Sequence, residues 1–429
     1  MITNHLSAQN FFAQTLIGRL ETLGLKIYHR LSRLIRLSLS TPFALLFVLL
    51  IRVIRPVFLV RIGVMRSDRI GHFALETELW LLERVSGVAT RPKRSVDIWY
   101  APEPIANRVL YKMWRQVLYI WPNWLMVTVF RLNQLVPGGS AHEIENATSS
   151  CLDVHNLLDI YPPRLKFTAS QIEQGQRGLA ELGIKPTDRF VCFIVRDAAY
   201  TKKAFPEKDM SYHDFRNCDV NDYVAGAEAL ADRGLFVLRM GSVVSKPLVS
   251  KNPRVIDYAN SKVRSEFMDL FLGAHCEFNV SDGLGFYAIP AMFRRPNAYV
   301  NYSPFFMFYS SRACDLGIAK TMFDTATGKR LNLAEMGERG VARFGATSQF
   351  AAAGVSVKSN TPIEIRDLML EMLDRIEGKW ISDVHDDELQ RKFWEKYLEI
   401  IGPDREIFHG EIWSKYGAQF LRDNQDWIV

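Results

Sequence analysis

Cysteine pairs are missing from this 429-residue chain: Cys151, Cys192, Cys218, Cys276 and Cys314 stand far apart, with no CxxC among them. An odd, scattered set argues against a disulfide framework and a cysteine zinc site, and it suits the reducing cytoplasm. Cys192, inside Phe190-Val191-Cys192-Phe193-Ile194-Val195, reads as small core filler. Charge of one sign is scarce as well. Fifty-three basic residues stand against 47 acidic ones, for a net charge of +6. With no RRM, KH or zinc-finger pattern beside it, that excess predicts no nucleic-acid partner. No DxD, HExxH or other metal-ligand spacing occurs, so no metal site is expected. GxSxG and GxxxxGK[ST] are absent too, which argues against a hydrolase elbow and a P-loop kinase. Nor is there an uninterrupted run of about 20 apolar residues, the length a spanning helix needs.

What is present begins at the N-terminus. Leu16, Leu20, Leu23, Ile27, Leu31 and Leu34 recur at helical spacing, with Arg19, Lys26, Arg30, Arg33 and Arg36 between them. A denser apolar stretch, Pro42 to Ile51, follows before Arg52 and Arg55 interrupt it. It lies too far into the chain, without a small-residue cleavage site, for an ordinary signal peptide. Such a basic amphipathic segment lies in the headgroup layer of an anionic membrane; a helical hairpin buried against the body is the alternative.

Beyond it the chain is long enough for two domains, and its 48% hydrophobic and 23% charged residues are ordinary for globular proteins. Val57 to Met65 reads as a strand, Arg66 to His72 as a polar turn, Phe73 to Val85 as a helix and Ser95 to Tyr100 as a further strand. Turn residues gather at Pro137-Gly138-Gly139-Ser140 and Pro162-Pro163. The second half alternates more clearly. Strands are expected at 190–196, 235–240, 276–280 and 297–301, and helices at 220–233, 264–273 and 285–293. After Pro362 the chain reads as helices with an aromatic-rich end. This rhythm predicts an α/β fold with mostly parallel sheets, and ligands beyond the carboxyl ends of the strands. The expected division is a membrane-associating segment over 1–55, a first Rossmann-like domain over 56–170, a second over 171–380, and a helical tail over 381–429.

Three strand ends in the second half share a polar pattern. The first runs through Arg196-Asp197 into His213-Asp214-Phe215-Arg216-Asn217, and the second is Arg239-Met240-Gly241-Ser242. The third, Ser281-Asp282-Gly283-Leu284-Gly285, precedes an apolar helix. Glycines allow close backbone approach, and a helix N-terminus offers amide hydrogens to an anion. With Arg196, Arg216 and Arg239 these loops form a cradle for a diphosphate, because guanidinium forks match phosphate oxygens. Ser281 and Asp282 are placed for a ribose or sugar hydroxyl; alternatively Gly283 and Gly285 make a turn and Asp282 caps the helix. His213 and Asp214 are candidates for acid/base work. In the first half Arg69, Gly71 and His72 sit where strand turns to helix, with Glu76 one turn on, suited to an acceptor or to the leaving phosphate.

The blocks Arg66-Ser67-Asp68-Arg69-Ile70-Gly71-His72-Phe73, His213-Asp214-Phe215-Arg216-Asn217-Cys218-Asp219, Arg239-Met240-Gly241 and Ser281-Asp282-Gly283-Leu284-Gly285-Phe286 resemble a family of glycosyltransferases encoded among bacterial surface-polysaccharide genes. The resemblance runs from about Val57 to Lys379. More distantly the layout is similar to GT-B enzymes, including the fucosyltransferase-like branch, where an arginine after the first strand of the C-terminal domain meets the donor diphosphate; Arg196 stands in that place. The resemblance implies two facing Rossmann-like domains, a nucleotide-sugar donor in the C-terminal one and the acceptor in the other. It implies no resident cofactor and no metal, arginines and amides meeting the leaving diphosphate instead. The expected enzyme transfers sugar to a lipid-linked or polysaccharide acceptor, peripherally, at the cytoplasmic face of the inner membrane. Asp214, His213 and His72 are its candidate catalytic groups. A nucleotide-sugar epimerase on the same scaffold and a non-catalytic membrane scaffold are the alternatives.

Overall fold

The computed structural model describes residues 38–90, 92–144, 151–204, 207 and 209–428. The basic amphipathic stretch over 16–36 lies outside them. The chain forms two compact units that interleave along the sequence. One comprises residues 38–65, 92–103 and 118–144 of the described chain, the other 66–90, 104–117 and everything from 151 onward. The residues expected as a first Rossmann-like domain, 56–170, are shared between the two.

The smaller unit is built on a three-stranded parallel sheet, β1 (Leu59–Val64), β2 (Ser95–Tyr100) and β3 (Tyr119–Ile120), in the order β1-β2-β3. Two helices, over 38–54 and Asn123–Leu135, pack with it around one apolar core. Ala44, Val48 and Ile51 from the first helix meet Val60, Ile62, Ile98, Tyr100, Met126 and Val129. Their spacing of three to four residues is one helical stripe. Ser40 heads the same stripe and hydrogen-bonds Thr128 at 2.7 Å. Across β1 and β2, Arg61 donates two hydrogen bonds to Asp97 at 2.8 and 3.1 Å.

Among the described residues the opposite face of the 38–54 helix has no such cover. Leu39, Phe43, Leu46, Leu50 and Val53 recur at spacings of four and three, all exposed, Leu46 by 67%. A helix apolar on every side is ordinarily buried in protein or lipid. At about 1.5 Å per residue its 17 described residues fall short of the ~30 Å hydrocarbon layer. Among the described residues no helix is long and apolar enough to cross a membrane.

Among its described residues the larger unit carries nine strands: β4 (Phe190–Ile194), β5 (Phe236–Arg239), β6 (Val255–Ile256), β7 (Asn279–Ser281), β8 (Asn297–Tyr302), β9 (Leu316–Ala319), β10 (Thr321–Asp324), β11 (Val355–Lys358) and β12 (Lys415–Tyr416). Seven make one sheet in the order β12-β9-β8-β7-β4-β5-β6, every pair parallel; β10 and β11 form a separate antiparallel pair. Each residue of β8 and β9 is buried, as a parallel sheet covered on both faces requires. Flanking helices carry clear sequence starts. Thr168 with Gln171 and Thr361 with Glu364 are reciprocal capping boxes, the latter with Pro362 at the first helical position.

Residues 381–429, expected as a helical tail, are part of this unit. Lys415–Tyr416 extends the sheet beside β9, and Phe393, Tyr416, Phe420 and Trp427 stack into one aromatic cluster, with Phe393 and Tyr416 centroids 4.0 Å apart. The helix expected over 285–293 is also different. It is a 3-10 turn, Gly285–Tyr287, followed by five α-helical residues, Ala288–Met292.

Candidate functional site

From β4 the chain moves outward to β5 and β6, then returns to add β7, β8 and β9 on the other side of β4. The boundary between β4 and β7 is therefore the switch point of the sheet, where diverging loops leave a crevice at the carboxyl ends. The register aligns those ends: Ile194 pairs with Ser281, and Phe193 with Arg239. Arg196, the Met240-Gly241 turn and the Asp282–Gly285 turn all leave from that one edge. A cavity of about 460 Å³ opens there. Its walls come from the larger unit alone and include Arg196, Gly241, Gly283 and Gly285, with Arg69, Gly71, His72, Cys151, His213, Arg216 and Arg264.

Glycine decides how closely two of these loops meet. A Cβ on Gly71 would stand 2.9 Å from the Gly285 Cα, so the turn after residue 69 packs directly on the turn after β7. Gly283 adopts φ +80°, and a side chain there would strike the Tyr302 ring at 2.9 Å.

The electrostatics are one-sided. Arg216 donates to the Gly283 carbonyl at 3.1 Å, while the Arg196 Nε and Arg216 Nε are buried without a partner. Among the described residues neither guanidinium is ion-paired to a carboxylate. Burial and then the neighbouring Arg216 hold the Arg196 guanidinium below its usual pKa. Two desolvated cations side by side are unfavourable unless an anion lies between them. Buried Asp282 offsets only part of that charge: its carboxyl interacts with both arginines, and its Oδ2 accepts the Arg196 backbone N–H at 2.6 Å. It therefore holds the loop after β4 and is not the helix cap.

His213 reports the same field. Burial, then the charges of Arg216, Arg196 and Arg69, bring its imidazole down to about 4, so it is uncharged at neutral pH. Because the unfolded value is ~6.5, the unfolded chain takes up this proton first. The contribution of His213 thus makes stability rise from about pH 4 to ~6.5 and fall as pH drops through that window. An anion among the arginines removes the repulsion and raises the His213 pKa. Pyrophosphate binding is accordingly expected to take up more protons between pH 5 and 6 in the wild type than in His213→Gln. Calorimetry in buffers of different ionisation enthalpy reads this directly, and equal uptake by the two proteins counts against the field.

His72 and Glu76 occupy a single π-helical turn, His72–Glu76, that opens the helix Thr77–Ser86. Such turns insert one extra residue and recur at functional sites. The Glu76 Oε1 lies 2.6 Å from the His72 Nδ1 and accepts from the Arg66 Nη1 at 3.2 Å. A carboxylate only accepts, so in the neutral imidazole the proton sits on Nδ1 and Nε2 holds the lone pair. His72 is on the cavity wall, and the Cys151 Sγ is 3.2 Å from its Nδ1.

Other expected residues lie elsewhere. Arg239 is 1% exposed and donates to Asp257 at 3.1 Å, away from the large cavity. Asp214 is exposed, accepts from the Asn217 side chain at 3.0 Å and is not on the wall. Ser281 is buried beneath the cavity rim, and Glu76 reaches the cavity through His72.

Several wall and support residues carry no sequence signal. Tyr287, Tyr302 and Tyr309 form an aromatic floor, with Tyr287–Tyr309 and Tyr302–Tyr309 centroids 4.5 and 5.3 Å apart. They come from separate segments, so only the tertiary fold unites them. Buried Lys320 donates to the carbonyls of Phe215 and Asn217 at 3.1 and 2.7 Å, fixing the segment that presents His213 and Arg216.

No protein-family model matches the sequence, and no curated protein matches it. Among solved structures, the chain is similar to the glycosyl transferase family 9 protein from Veillonella parvula. Identity is 10% and the TM-score 0.38, over 61% of this chain and 86% of that one. It is also similar to the ADP-heptose LPS heptosyltransferase II of E. coli, at 13% identity and TM-score 0.31, over 57% of this chain and 86% of that one. Both of these similar structures are glycosyltransferases; with TM-scores below 0.5, the chemistry of this site has to be read from its own residues.

Proposed function

We propose that the chain is a glycosyltransferase that moves a sugar from a nucleotide-sugar donor to a lipid-linked or glycan acceptor. One observation carries this reading: Arg196 and Arg216, whose buried Nε atoms lack a hydrogen-bond partner and whose guanidinium groups form no ion pair among the described residues, meet at the switch point of a parallel sheet. A diphosphate supplies the negative charge they lack, and bidentate guanidinium contacts fit its oxygens. The aromatic floor of Tyr287, Tyr302 and Tyr309 offers flat apolar surface to a sugar ring or base.

The reaction requires an acceptor hydroxyl to lose a proton and a diphosphate to leave. His72 supports the first step better than Asp214, since it is on the wall and its neutral form presents an Nε2 lone pair. The acceptor oxygen bonds to the anomeric carbon as the bond from that carbon to the diphosphate breaks. The proton passes to His72 Nε2, and Glu76 stabilises the imidazolium. Arg196 and Arg216 receive the charge that builds on the leaving diphosphate, so the transfer needs no metal. Titration with UDP, GDP, ADP, CDP and CMP, followed by transfer from the matching radiolabelled donor in excess EDTA, tests both points. Failure of every nucleotide to bind removes the reading.

The uncovered face of the 38–54 helix supports peripheral attachment to an anionic membrane. Arg55 follows the helix, and Trp121, 5.4 Å from Phe47, and exposed Trp124 add the aromatic rings favoured at bilayer interfaces. Each buried Leu or Phe contributes ~1.5–3 kcal/mol. The double substitution Leu46→Glu, Leu50→Glu is expected to lower partitioning onto phosphatidylserine-containing vesicles at least about tenfold in a flotation assay. Unchanged flotation would place the attachment elsewhere.

A further inference from the structure

We propose that His72, Glu76 and Cys151 form a binding site for a soft divalent cation of the Zn²⁺ type, and that its occupancy switches off the transfer reaction. Their ligand atoms lie within 4.8 Å of one another. Nδ1 is 2.6 Å from the Glu76 Oε1 and 3.2 Å from the Cys151 Sγ, and the sulfur is 4.0 Å from that oxygen. Tetrahedral zinc, with bonds of ~2.0–2.3 Å, sets such atoms roughly 3.3–3.6 Å apart. The observed spacings bracket that range, so small side-chain rotations complete the triad. His72 and Cys151 both line the cavity, which leaves the fourth position open to water or to an anion.

The donor set selects the ion. A thiolate, an imidazole and one carboxylate favour Zn²⁺ or Co²⁺ over Mg²⁺, which prefers six oxygens. One thiolate and one carboxylate neutralise the ion's two charges, so the site tolerates its arginine-rich surroundings. In the metal-bound form the Arg66 contact, now on Oε1, passes to the second oxygen of Glu76. Binding releases one proton, from the Cys151 thiol, while His72 stays neutral and its proton moves from Nδ1 to Nε2.

That move of the His72 proton is what links the site to catalysis. A neutral imidazole that ligates through Nδ1 carries its proton on Nε2. The nitrogen assigned above as the base then has no lone pair for the acceptor. Metal binding itself depends only on the geometry; the inhibition rests on the glycosyltransferase reading.

The test is a titration of the reduced, full-length chain with Co²⁺ under anaerobic conditions. One Co²⁺ per chain is expected, with a thiolate-to-cobalt charge-transfer band that Zn²⁺ removes. Cys151→Ser is expected to lose the band and to bind at least roughly tenfold more weakly, the least that loss of even an outer partner costs. On the wild type, Zn²⁺ is expected to protect Cys151 from alkylation, mapped by mass spectrometry, which stands even if the variant does not fold. No band, or a band that survives in Cys151→Ser, overturns the site. A cobalt site that forms while Zn²⁺ leaves the transfer rate unchanged overturns the inhibitory role and His72 as base, but not the site.

Discussion

Arg196→Ala is expected to weaken nucleoside diphosphate binding by about 100-fold or more, with no loss of thermal stability in the free protein. Charge-assisted hydrogen bonds contribute ~1.5–3 kcal/mol each, and a bidentate pair to a diphosphate reaches that factor. The stability half of the prediction follows from the unliganded environment. Among the described residues the Arg196 guanidinium forms no ion pair and its buried Nε has no partner, while repulsion by Arg216 opposes attraction to Asp282, so the fold loses little with it. Its backbone N–H, which Asp282 accepts, survives the substitution. Arg196→Lys is expected to recover only part of the affinity, because a point charge cannot reproduce the planar fork. Isothermal titration against the best-binding diphosphate, paired with a melting curve, checks both halves. Normal affinity in Arg196→Ala would remove the residue from the site.

The second large effect is kinetic. His72→Ala should lower kcat by ~10²–10⁴, the usual range for loss of a positioned general base, while the donor Kd stays within a factor of about two. The limb of the pH–rate profile that reports the imidazole is expected to vanish with it. Glu76→Gln separates orientation from simple loss of charge. An amide can donate to Nδ1 and so favour the proton on Nε2, which costs on the order of 10²-fold or more in comparable dyads. Were His72→Ala to weaken donor binding and leave kcat intact, His72 would belong to recognition, and the base would have to be sought elsewhere on the wall.

The parts of this site that the sequence reveals are those set by local pattern. Apolar runs ending in Arg196, Met240 and Ser281 announce strands by themselves, and glycines at 241, 283 and 285 mark turns whose backbone has to bend or approach closely. Arg239 illustrates the limit. It ends β5 just as Arg196 follows β4, yet a partner 18 residues further on, Asp257, takes it out of the cavity. Nothing local distinguishes the two arginines. Asp214 and His213 differ in the same way. They are adjacent in a 3-10 turn, so one reaches the cavity and the other faces solvent, and Lys320 helps fix that turn from more than a hundred residues away. The tyrosine floor and Cys151 are invisible for a related reason, being assembled from distant segments. At the C-terminus a two-residue strand is too short to show a period of two, so Lys415 and Tyr416 read as part of a helical tail although they extend the sheet.

A crystal structure of the chain with its tightest-binding nucleoside diphosphate addresses the central claim most directly. The diphosphate is expected at the carboxyl ends of β4 and β7, its oxygens within about 3 Å of the Arg196 and Arg216 guanidinium groups. A nucleotide lodged away from that edge, or one whose phosphates touch neither arginine, would contradict the account.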